Sequence, residues 1–295
     1  MGKNSMSTFI NKLSEFGISP NEISKLIASA LVEDLGGGVD ITSRSTIKEN
    51  ANSVANFVAR KNGVVSGLYV AAAVLESCNL KEIKVLANEG AQVEAGQVVI
   101  EVRGNTRSIL LAERTALNFL THLSGIATQT KVWVDSISGT SAKIRDTRKT
   151  NPGLRTLEKF AVRMGGGTNH RMSLSDEGLI KDNHIAAAGD IKLAAQNFKK
   201  NFPGKKLEIE IDDLSQLADV IASEADLIML DNFSLVDCQA AVQQINGAKK
   251  IEVSGGITLQ NVREFAQTGI DYIAIGAITH SAPALDFGLD FVKER

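Results

Sequence analysis

The chain has 295 residues, 43% of them hydrophobic, and a formal net charge of −2 at pH 7. This length accommodates one large or two ordinary domains, and the near-neutral charge argues against nucleic acid or an acidic membrane surface as the main partner. Cys78 and Cys238 provide neither a disulfide framework nor a metal cluster, and no apolar run reaches the roughly 18 residues of a membrane span. These features predict a cytoplasmic protein with buried thiols.

The first part of the chain predicts helices followed by an α+β module. Residues 8–35 contain two amphipathic helical stretches, and residues 40–43 are predicted as a polar loop. Residues 53–110 are predicted to hold short strands, a short helix from Ala71, and a hairpin turn at Asn62-Gly63, because Asn-Gly favours such turns.

A long helical stretch is predicted from residue 110 to 138, either as one helix or as two that Gly125 separates. Arg114 and His122 are conspicuous on it. The structural interpretation of Arg114 is an ion pair with a nearby acid, and that of His122 is a packing histidine whose hydrogen bonds are satisfied.

From residue 142 onward, short apolar strands alternate with helices. The strands are predicted at residues 143–146, 179–181, 207–211, 227–230, 251–253 and 272–275, and helices at 191–201, 214–223, 235–246 and 259–269. Such alternation implies parallel pairing through right-handed crossovers. Because only six strand–helix units are recognised, the prediction is an incomplete barrel. A doubly wound open sheet is the alternative, but the dinucleotide-binding glycine motif typical of that fold does not follow the first strand.

Residues 145–181 carry eight Lys or Arg side chains against four Asp or Glu, a net charge of +4. Such a segment suggests a site for a small, multiply charged anion. Asn151-Pro152 predicts a helix start, with a capping residue followed by proline at the first helical position. On that helix Arg155, Lys159 and Arg163 recur every four residues, and a solvated face is the favoured interpretation for them.

In a parallel barrel, the residues that follow each strand converge on one opening. Cations follow the first two predicted strands, carboxylates follow the next two, and serine or glycine follows the last two. In chain order these residues are Arg148, Lys149, Lys181, His184, Glu210, Asp212, Asp231, Asn232, Ser254, Gly255, Gly256, Gly276 and Ala277.

The order of these residue types predicts what the opening binds. The turns at residues 254–256 and at Gly276 resemble a phosphate cradle, because glycine lets backbone N–H groups approach an anion and a following helix adds its N-terminal donors. Glu210 and Asp231 suit sugar hydroxyls or Mg²⁺, with a structural salt bridge to Lys181 as the alternative. Together with the cations they indicate a pocket for phosphoribosyl diphosphate and an anionic acceptor.

Several motifs occur in a fixed order from about residue 30 to 288. They are Glu33-Asp34-Leu35-Gly36, Glu113-Arg114 with Leu117-Asn118, Leu123-Ser124-Gly125-Ile126-Ala127-Thr128, Thr147-Arg148-Lys149-Thr150 with Pro152-Gly153-Leu154-Arg155, Gly165-Gly166-Gly167 with Asn169-His170-Arg171, Ile180-Lys181-Asp182-Asn183-His184, Leu230-Asp231-Asn232, Ser254-Gly255-Gly256-Ile257, and Gly276-Ala277 with Thr279-His280. Taken together, they closely resemble the quinolinate phosphoribosyltransferase family.

The resemblance implies an enzyme that transfers phosphoribosyl from phosphoribosyl diphosphate to quinolinate with loss of CO₂. The products would be nicotinate mononucleotide, for NAD biosynthesis, and diphosphate. It also implies an α+β sandwich domain over residues 1–123 and an open, incomplete parallel α/β barrel over residues 124–284. A tail of about 285–295 is expected to pack on the first domain. The resemblance further implies a head-to-tail homodimer, with a higher oligomer as the alternative, in which Arg114 enters the partner's active site.

The same resemblance implies roles for individual residues. Arg148, His170 and Arg171 would hold the quinolinate carboxylates, and Thr147 would also bind substrate. Lys149 and Lys181 would hold diphosphate, and Glu210 and Asp231 would take the ribose hydroxyls and Mg²⁺. Ser254, Gly255, Gly256, Gly276 and Ala277 would hold the 5-phosphate. Lys149, Lys181, Glu210 and Asp231 are the expected catalytic residues.

Three other functions compete with this one. The nearest is a phosphoribosyltransferase of the same fold that acts on nicotinate or another base. A barrel aldolase with Lys181 as a Schiff-base lysine is a different class, and a non-catalytic sugar-phosphate sensor is the third.

Overall fold

The computed structural model describes residues 8–292, so the last three residues of the predicted tail lie outside the described part. Two compact units are distinguished. The first contains residues 8–129, Thr156–Gly166 and 282–292, and the second contains Thr130–Arg155 and Gly167–Ser281. No helix within residues 8–292 combines the length and hydropathy needed to cross a membrane.

The first unit begins with three helices: α1 (Thr8–Ser14), α2 (Pro20–Leu35) and α3 (Ile41–Thr46). The prediction of a polar loop at residues 40–43 is wrong, because Asp40 caps α3. Its carboxylate accepts a hydrogen bond from the backbone N–H of Ser43 at 2.9 Å, which satisfies one of the donors at the start of a helix.

A four-stranded antiparallel sheet forms the centre of the first unit. Its strands are β1 (Asn52–Ala59), β3 (Glu82–Val85), β5 (Val98–Asn105) and β12 (Phe287–Phe291), in the order β12-β1-β5-β3. A two-stranded sheet pairs β2 (Gly63–Val64) with β4 (Gln92–Val93), and α4 (Leu68–Ser77) follows β2. The residues from Leu68 to Leu75, except Tyr69, are buried and contribute to the core.

The predicted hairpin at Asn62-Gly63 is wrong. Both edges of β1 are already paired, one with β12 and the other with β5, so β2 has no free edge of β1 to join. Gly63 is required for packing instead, since a Cβ there would lie 2.7 Å from both a Leu285 methyl carbon and the Thr128 hydroxyl.

Helix α5 (Thr106–Ser136) runs without interruption through Gly125. Because Gly125 has no side chain, the backbone of Pro283 and Ala284 can pass directly against the helix. The glycine is therefore a packing position and does not divide the helix. On the same helix, His122 contacts the buried carboxylate of Glu158 at 2.9 Å, which confirms its structural interpretation.

The second unit contains a six-stranded parallel sheet. The strands are β6 (Lys143–Arg145), β7 (Gly178–Ile180), β8 (Leu207–Ile211), β9 (Leu227–Asp231), β10 (Lys250–Ser254) and β11 (Tyr272–Ala274). Their order is β6-β11-β10-β9-β8-β7. Strands β7 to β11 are neighbours in chain order, whereas a doubly wound sheet reverses direction midway. This order confirms the open parallel α/β prediction, with β6 and β7 at the two edges.

The helices of this part of the chain are α7 (Asp182–Ala188), α8 (Ile191–Asn201), a 3₁₀ turn (Leu214–Gln216), α9 (Leu217–Ala222), α10 (Leu235–Ile245), α11 (Val262–Ala266) and α12 (Ala277–His280). Apolar strand residues such as Leu207, Ile209 and Ile211 are buried and build the core, while Glu208 and Glu210 alternate with them on the opposite face of β8.

Helix α6 (Arg155–Met164) begins three residues later than the prediction. Gly153 has a φ of 80°, a left-handed conformation that interrupts a right-handed helix. The solvated-face interpretation is wrong for Lys159, which is fully buried, and for Arg155, which is half-buried and donates to the Met172 carbonyl at 3.1 Å. Only Arg163 of the three is exposed.

Replacing Gly125 with alanine is expected to reduce the free energy of unfolding by about 1–3 kcal/mol, since the new Cβ meets backbone that cannot rotate away. It would lie 2.9 Å from the Ala284 Cα. Gly38→Ala is the control, because the nearest atom to its Cβ within residues 8–292 would be the Leu35 carbonyl oxygen, at an ordinary contact distance of 3.6 Å. Urea unfolding of both variants measures the difference, and equal stabilities would contradict the packing.

Candidate active site

The carboxyl ends of the parallel strands bring distant residues into one row. Asp231 pairs in register with Ser254, Ser254 with Ala274, and Ala274 with Arg145. A cavity of about 370 Å³ opens beside this row. Barrel proteins place their active sites at this end, because the loops that follow the strands there can vary in sequence without disturbing the barrel.

Nine of the predicted site residues line this cavity. They are Thr147, Arg148, Lys149, His170, Arg171, Lys181, Glu210, Asp231 and Ser254. The remaining lining residues are Leu179, Met229, Glu252 and Ala274. Gly255, Gly256, Gly276 and Ala277 do not line it, and Arg114 belongs to the first unit, where its side chain is exposed on α5. His184 lies on α7 and accepts the Lys181 backbone N–H at 3.1 Å.

Two arginines give the cavity a strongly cationic part. The Nε atoms of Arg148 and Arg171 are buried, and neither has a hydrogen-bond partner within residues 8–292. Arg171 donates through Nη1 to the Glu177 carbonyl at 3.1 Å, which orients its guanidinium. Burial, together with the charge of Arg148, lowers the pKa of Arg171 from its ordinary value. Such an unbalanced pair is a ready site for a planar anion with paired oxygens.

Lys149 is held through its backbone while its side chain remains exposed. Its N–H donates to the Thr147 hydroxyl at 3.0 Å, and its carbonyl accepts from the buried Thr279 hydroxyl at 2.8 Å. A Cβ on Gly276 would lie 3.0 Å from the Lys149 Cδ, so glycine leaves room for the lysine side chain. Lys149 and Gly276 are therefore neighbours, as the barrel hypothesis predicted.

Two half-buried carboxylates, Glu210 and Asp231, form another part of the cavity. The Glu210 carboxylate accepts a hydrogen bond from the Lys181 ammonium, so the salt bridge considered as an alternative is present. Asp231 accepts from the side-chain amide of Asn232 at 2.9 Å. Asn232 has a φ of 57°, and its backbone N–H donates to the Ser254 carbonyl at 2.8 Å. This links the ends of β9 and β10.

Gly255 and Gly256 both adopt left-handed conformations, with φ of 82° and 65°. At Gly255 a Cβ would lie 2.7 Å from the Asn232 Cγ, so no other residue fits there without moving Asn232. The predicted helix start at residue 259 is wrong, because Thr258–Asn261 hydrogen bonds form a turn before α11 begins at Val262. Ala277, in contrast, starts α12 directly after Gly276.

Beneath the cavity is a buried ionic network that the sequence interpretation missed. The Arg145 Nη1 lies 2.6 Å from a Glu252 carboxylate oxygen, and the His170 Nε2 lies 2.6 Å from the Glu208 Oε2. The His170 backbone N–H donates to the buried Asp146 at 2.9 Å. Glu208 and Glu252 precede Glu210 and Ser254 by two residues and therefore share their face of the sheet. The sequence does contain a signal for this network, because Glu208 and Glu252 are charged residues inside otherwise apolar strands.

Burial shifts the acid–base properties of this network. It raises the pKa of Glu208 and of Glu252 to about 7 each, because an ionised carboxylate loses its hydration there. The charge of Glu208 raises the pKa of Glu252 further, while Arg145 opposes both shifts. Burial alone would lower the pKa of Arg145, but Glu252 and Glu208 raise it.

Two family models match the chain. The N-terminal domain of quinolinate phosphoribosyl transferase matches residues 40–124, and its C-terminal domain matches residues 126–290. The chain belongs to the quinolinate phosphoribosyltransferase family. This membership confirms the resemblance inferred from the motifs.

Similar proteins carry names of this family. Nicotinate-nucleotide pyrophosphorylase (carboxylating) of Mycobacterium leprae is 46% identical over 270 residues, which cover 90% of this chain and 95% of the relative. Quinolinate phosphoribosyltransferase (decarboxylating) 2 of Nicotiana glauca is 37% identical over 92% of this chain and 83% of its own length. The solved nicotinate-nucleotide pyrophosphorylase of Francisella tularensis superposes with a TM-score of 0.89 at 40% identity, covering 93% of this chain and 98% of that one.

The raised pKa of Glu252 predicts a measurable pH dependence of stability. The folded state holds the Glu252 proton more tightly than the unfolded chain, whose pKa is near the ordinary 4.5. Its contribution to stability is therefore complete below that value and is lost as the pH rises to about 7. Relative to Glu252→Gln, the unaltered protein should lose up to about 1.4 kcal/mol per pH unit in this window.

Urea unfolding of both proteins at several values between pH 5 and pH 8 measures this difference. The difference in free energy of unfolding between the two proteins should become constant above pH 7. A gap that stays constant over the whole range would show that Glu252 titrates normally in the folded protein.

Proposed function

We propose that this chain is a decarboxylating quinolinate phosphoribosyltransferase, which converts quinolinate and phosphoribosyl diphosphate to nicotinate mononucleotide, diphosphate and CO₂. One observation carries the proposal beyond family membership. In a single cavity, the buried Nε–H groups of Arg148 and Arg171 have no hydrogen-bond partner within residues 8–292, and Glu210 and Asp231 present carboxylates. A dicarboxylic pyridine and a phosphorylated sugar need these opposite kinds of partner.

Arg148, His170 and Arg171 would hold the two carboxylates of quinolinate. Arginine forks match carboxylates in a bidentate manner, and an anion there would relieve the repulsion between the two guanidinium groups. A monocarboxylate would leave part of this cationic group unpaired, which is costly for buried donors.

Glu210 and Asp231 would accept the ribose hydroxyls and hold Mg²⁺. Two carboxylates at one open cavity suit this ion, because Mg²⁺ usually takes one or two protein carboxylates and completes its shell with substrate phosphates and water. When bound, the ion would neutralise negative charge on the diphosphate. The turns at residues 254–256 and at Gly276-Ala277 would hold the 5-phosphate through their backbone N–H groups.

In the proposed reaction, the pyridine nitrogen lone pair forms a bond to the anomeric carbon while the bond to diphosphate breaks. The released electron pair stays on diphosphate, where the ammonium groups of Lys149 and Lys181 stabilise it. Glu210 and Asp231 stabilise the positive charge that develops on the ribose ring. The quaternised nitrogen then accepts electron density, so the adjacent carboxylate leaves as CO₂ and a proton takes its place on the ring carbon.

A cytoplasmic location and a role in NAD biosynthesis are parts of this proposal. Both cysteines are unpaired and buried, as expected of a protein that works in a reducing compartment.

The purified chain is expected to form nicotinate mononucleotide, diphosphate and CO₂ in equal amounts from quinolinate, phosphoribosyl diphosphate and Mg²⁺. Nicotinate should react at least about a hundredfold more slowly, because it leaves buried cations unpaired. Arg171→Ala should lose about a hundredfold in kcat/KM with an unchanged circular dichroism spectrum. Lys200→Ala, at an exposed position on α8, is the control.

Other outcomes identify the competing functions. Faster turnover with nicotinate would indicate the same-fold transferase with another base. Binding of phosphoribosyl diphosphate without release of diphosphate would indicate a sensor, and borohydride trapping of a carbonyl compound on Lys181 would indicate an aldolase.

We also propose a homodimer in which Arg114 acts in the partner's site. The family resemblance supports this arrangement, as does the exposed Arg114 side chain, which forms no ion pair within residues 8–292. Arg114→Ala and Lys149→Ala subunits should each be inactive alone. Because a mixed dimer carries one intact site, random mixing should restore about a quarter of the activity. No recovery in verified mixed dimers would place Arg114 in its own subunit's site.

A further inference from the structure

We propose that Glu208 is a positioning residue that fixes the ring of His170, with the imidazole proton on Nε2, so that His170 presents a set orientation to the pyridine substrate. This inference rests on the proposed function, in which His170 meets a substrate carboxylate. Glu208 itself does not line the cavity and would act only through His170.

The contact between Glu208 and His170 is short and shielded from water. The Oε2 of Glu208 lies 2.6 Å from the His170 Nε2, and both side chains are at least nine-tenths buried. A second carboxylate oxygen, Oε1 of Glu252, lies 3.6 Å from the same nitrogen. Two acidic groups beside one ring nitrogen favour a proton on that nitrogen, because a bare lone pair there would face other lone pairs.

The backbone of His170 is anchored by Asp146, the residue that directly follows β6. Its N–H donates to the Oδ1 of Asp146 at 2.9 Å, and the side-chain amide of Asn169 donates to the other oxygen of that carboxylate. His170 itself lies outside the helices and strands. The Asp146 contact fixes its backbone and the Glu208 contact fixes its ring.

Arg145 explains why Glu208, and not Glu252, is the partner of the ring. Its Nη1 lies 2.6 Å from the Glu252 Oε2, its Nη2 donates to the Asn169 carbonyl at 3.3 Å, and its guanidinium stacks on the Tyr272 ring with a centroid distance of 4.5 Å. Glu252 is therefore already paired with a cation, whereas Glu208 has its hydrogen bond with the His170 Nε2.

A metal ion is the other use that three such side chains could have. Ligand atoms of His170, Glu208 and Glu252 lie within 4.8 Å of one another. The guanidinium of Arg145 in contact with Glu252 disfavours a second cation there, and a nitrogen and an oxygen 2.6 Å apart are closer than two ligands of one metal normally are. A hydrogen bond accounts for the geometry directly.

The test compares Glu208→Gln with Glu208→Leu. Glutamine keeps an oxygen that accepts the Nε2 proton, whereas leucine of similar size removes it. In Glu208→Leu the KM for quinolinate should rise at least tenfold, while the KM for phosphoribosyl diphosphate stays within twofold. Glu208→Gln should retain most of the quinolinate affinity. Glu224→Leu, at an exposed position, is the control.

Nitrogen-15 NMR of the four histidines in the substrate-free protein provides a readout that does not depend on turnover. His170 should carry a proton on Nε2 in the unaltered protein and in Glu208→Gln, and should lose this preference in Glu208→Leu. An unprotonated Nε2 in the unaltered protein, or an unchanged quinolinate KM in a folded Glu208→Leu, would overturn the proposal.

These measurements separate this inference from the proposed function. If no product forms from quinolinate, the proposed function fails, and the NMR result still decides whether Glu208 orients His170. If turnover is normal but His170 does not carry the Nε2 proton, only the positioning role fails.

Discussion

The ion pair between Arg145 and Glu252 is the interaction on which the floor of the cavity depends. Arg145 lies on β6 and Glu252 on β10, so their contact reaches across the intervening strand β11, where Tyr272 stacks on the guanidinium. Both charges are buried, and each would cost several kcal/mol if left alone. Their pairing therefore joins three strands at the edge of an open sheet, next to the loops that carry the cavity-lining side chains.

Strand alternation separates the polar side chains of the second unit into two layers. Glu208 and Glu252 precede Glu210 and Ser254 by two residues on the same face of the sheet. The first two side chains are buried, whereas Glu210 and Ser254 are half-buried. In the deeper layer a charge persists only with a partner, so the groups there restrain one another. In the upper layer a charge keeps access to solvent and remains available to a substrate. The buried layer thus supports the more exposed one.

The strands of the second unit could be predicted because each is a short apolar run, and the lining residues could be predicted because they follow strand ends. Predictions from short sequence patterns were wrong where contacts between distant parts of the chain determine the local structure. Asn62-Gly63 favours a hairpin, but β1 had no free edge for β2. Pro152 favours a helix start, but the left-handed Gly153 prevents it. The spacing of Lys159 matches a solvated face, yet it is buried. Charge pairing across distant strands, as between Arg145 and Glu252, is not visible in residue order.

Under the proposed function, the arrangement of charges favours a dianion over a single carboxylate. Arg148 and Arg171 repel each other, and each holds a buried N–H without a partner in residues 8–292. An anion with one carboxylate can satisfy one guanidinium fork and leaves the other desolvated, which costs about 1–3 kcal/mol for each buried group that remains unpaired. A second carboxylate on the same ring removes that cost. In this proposal, selectivity would arise from the penalty on the wrong ligand, and it would require that His170 and both arginines hold their positions before the substrate arrives.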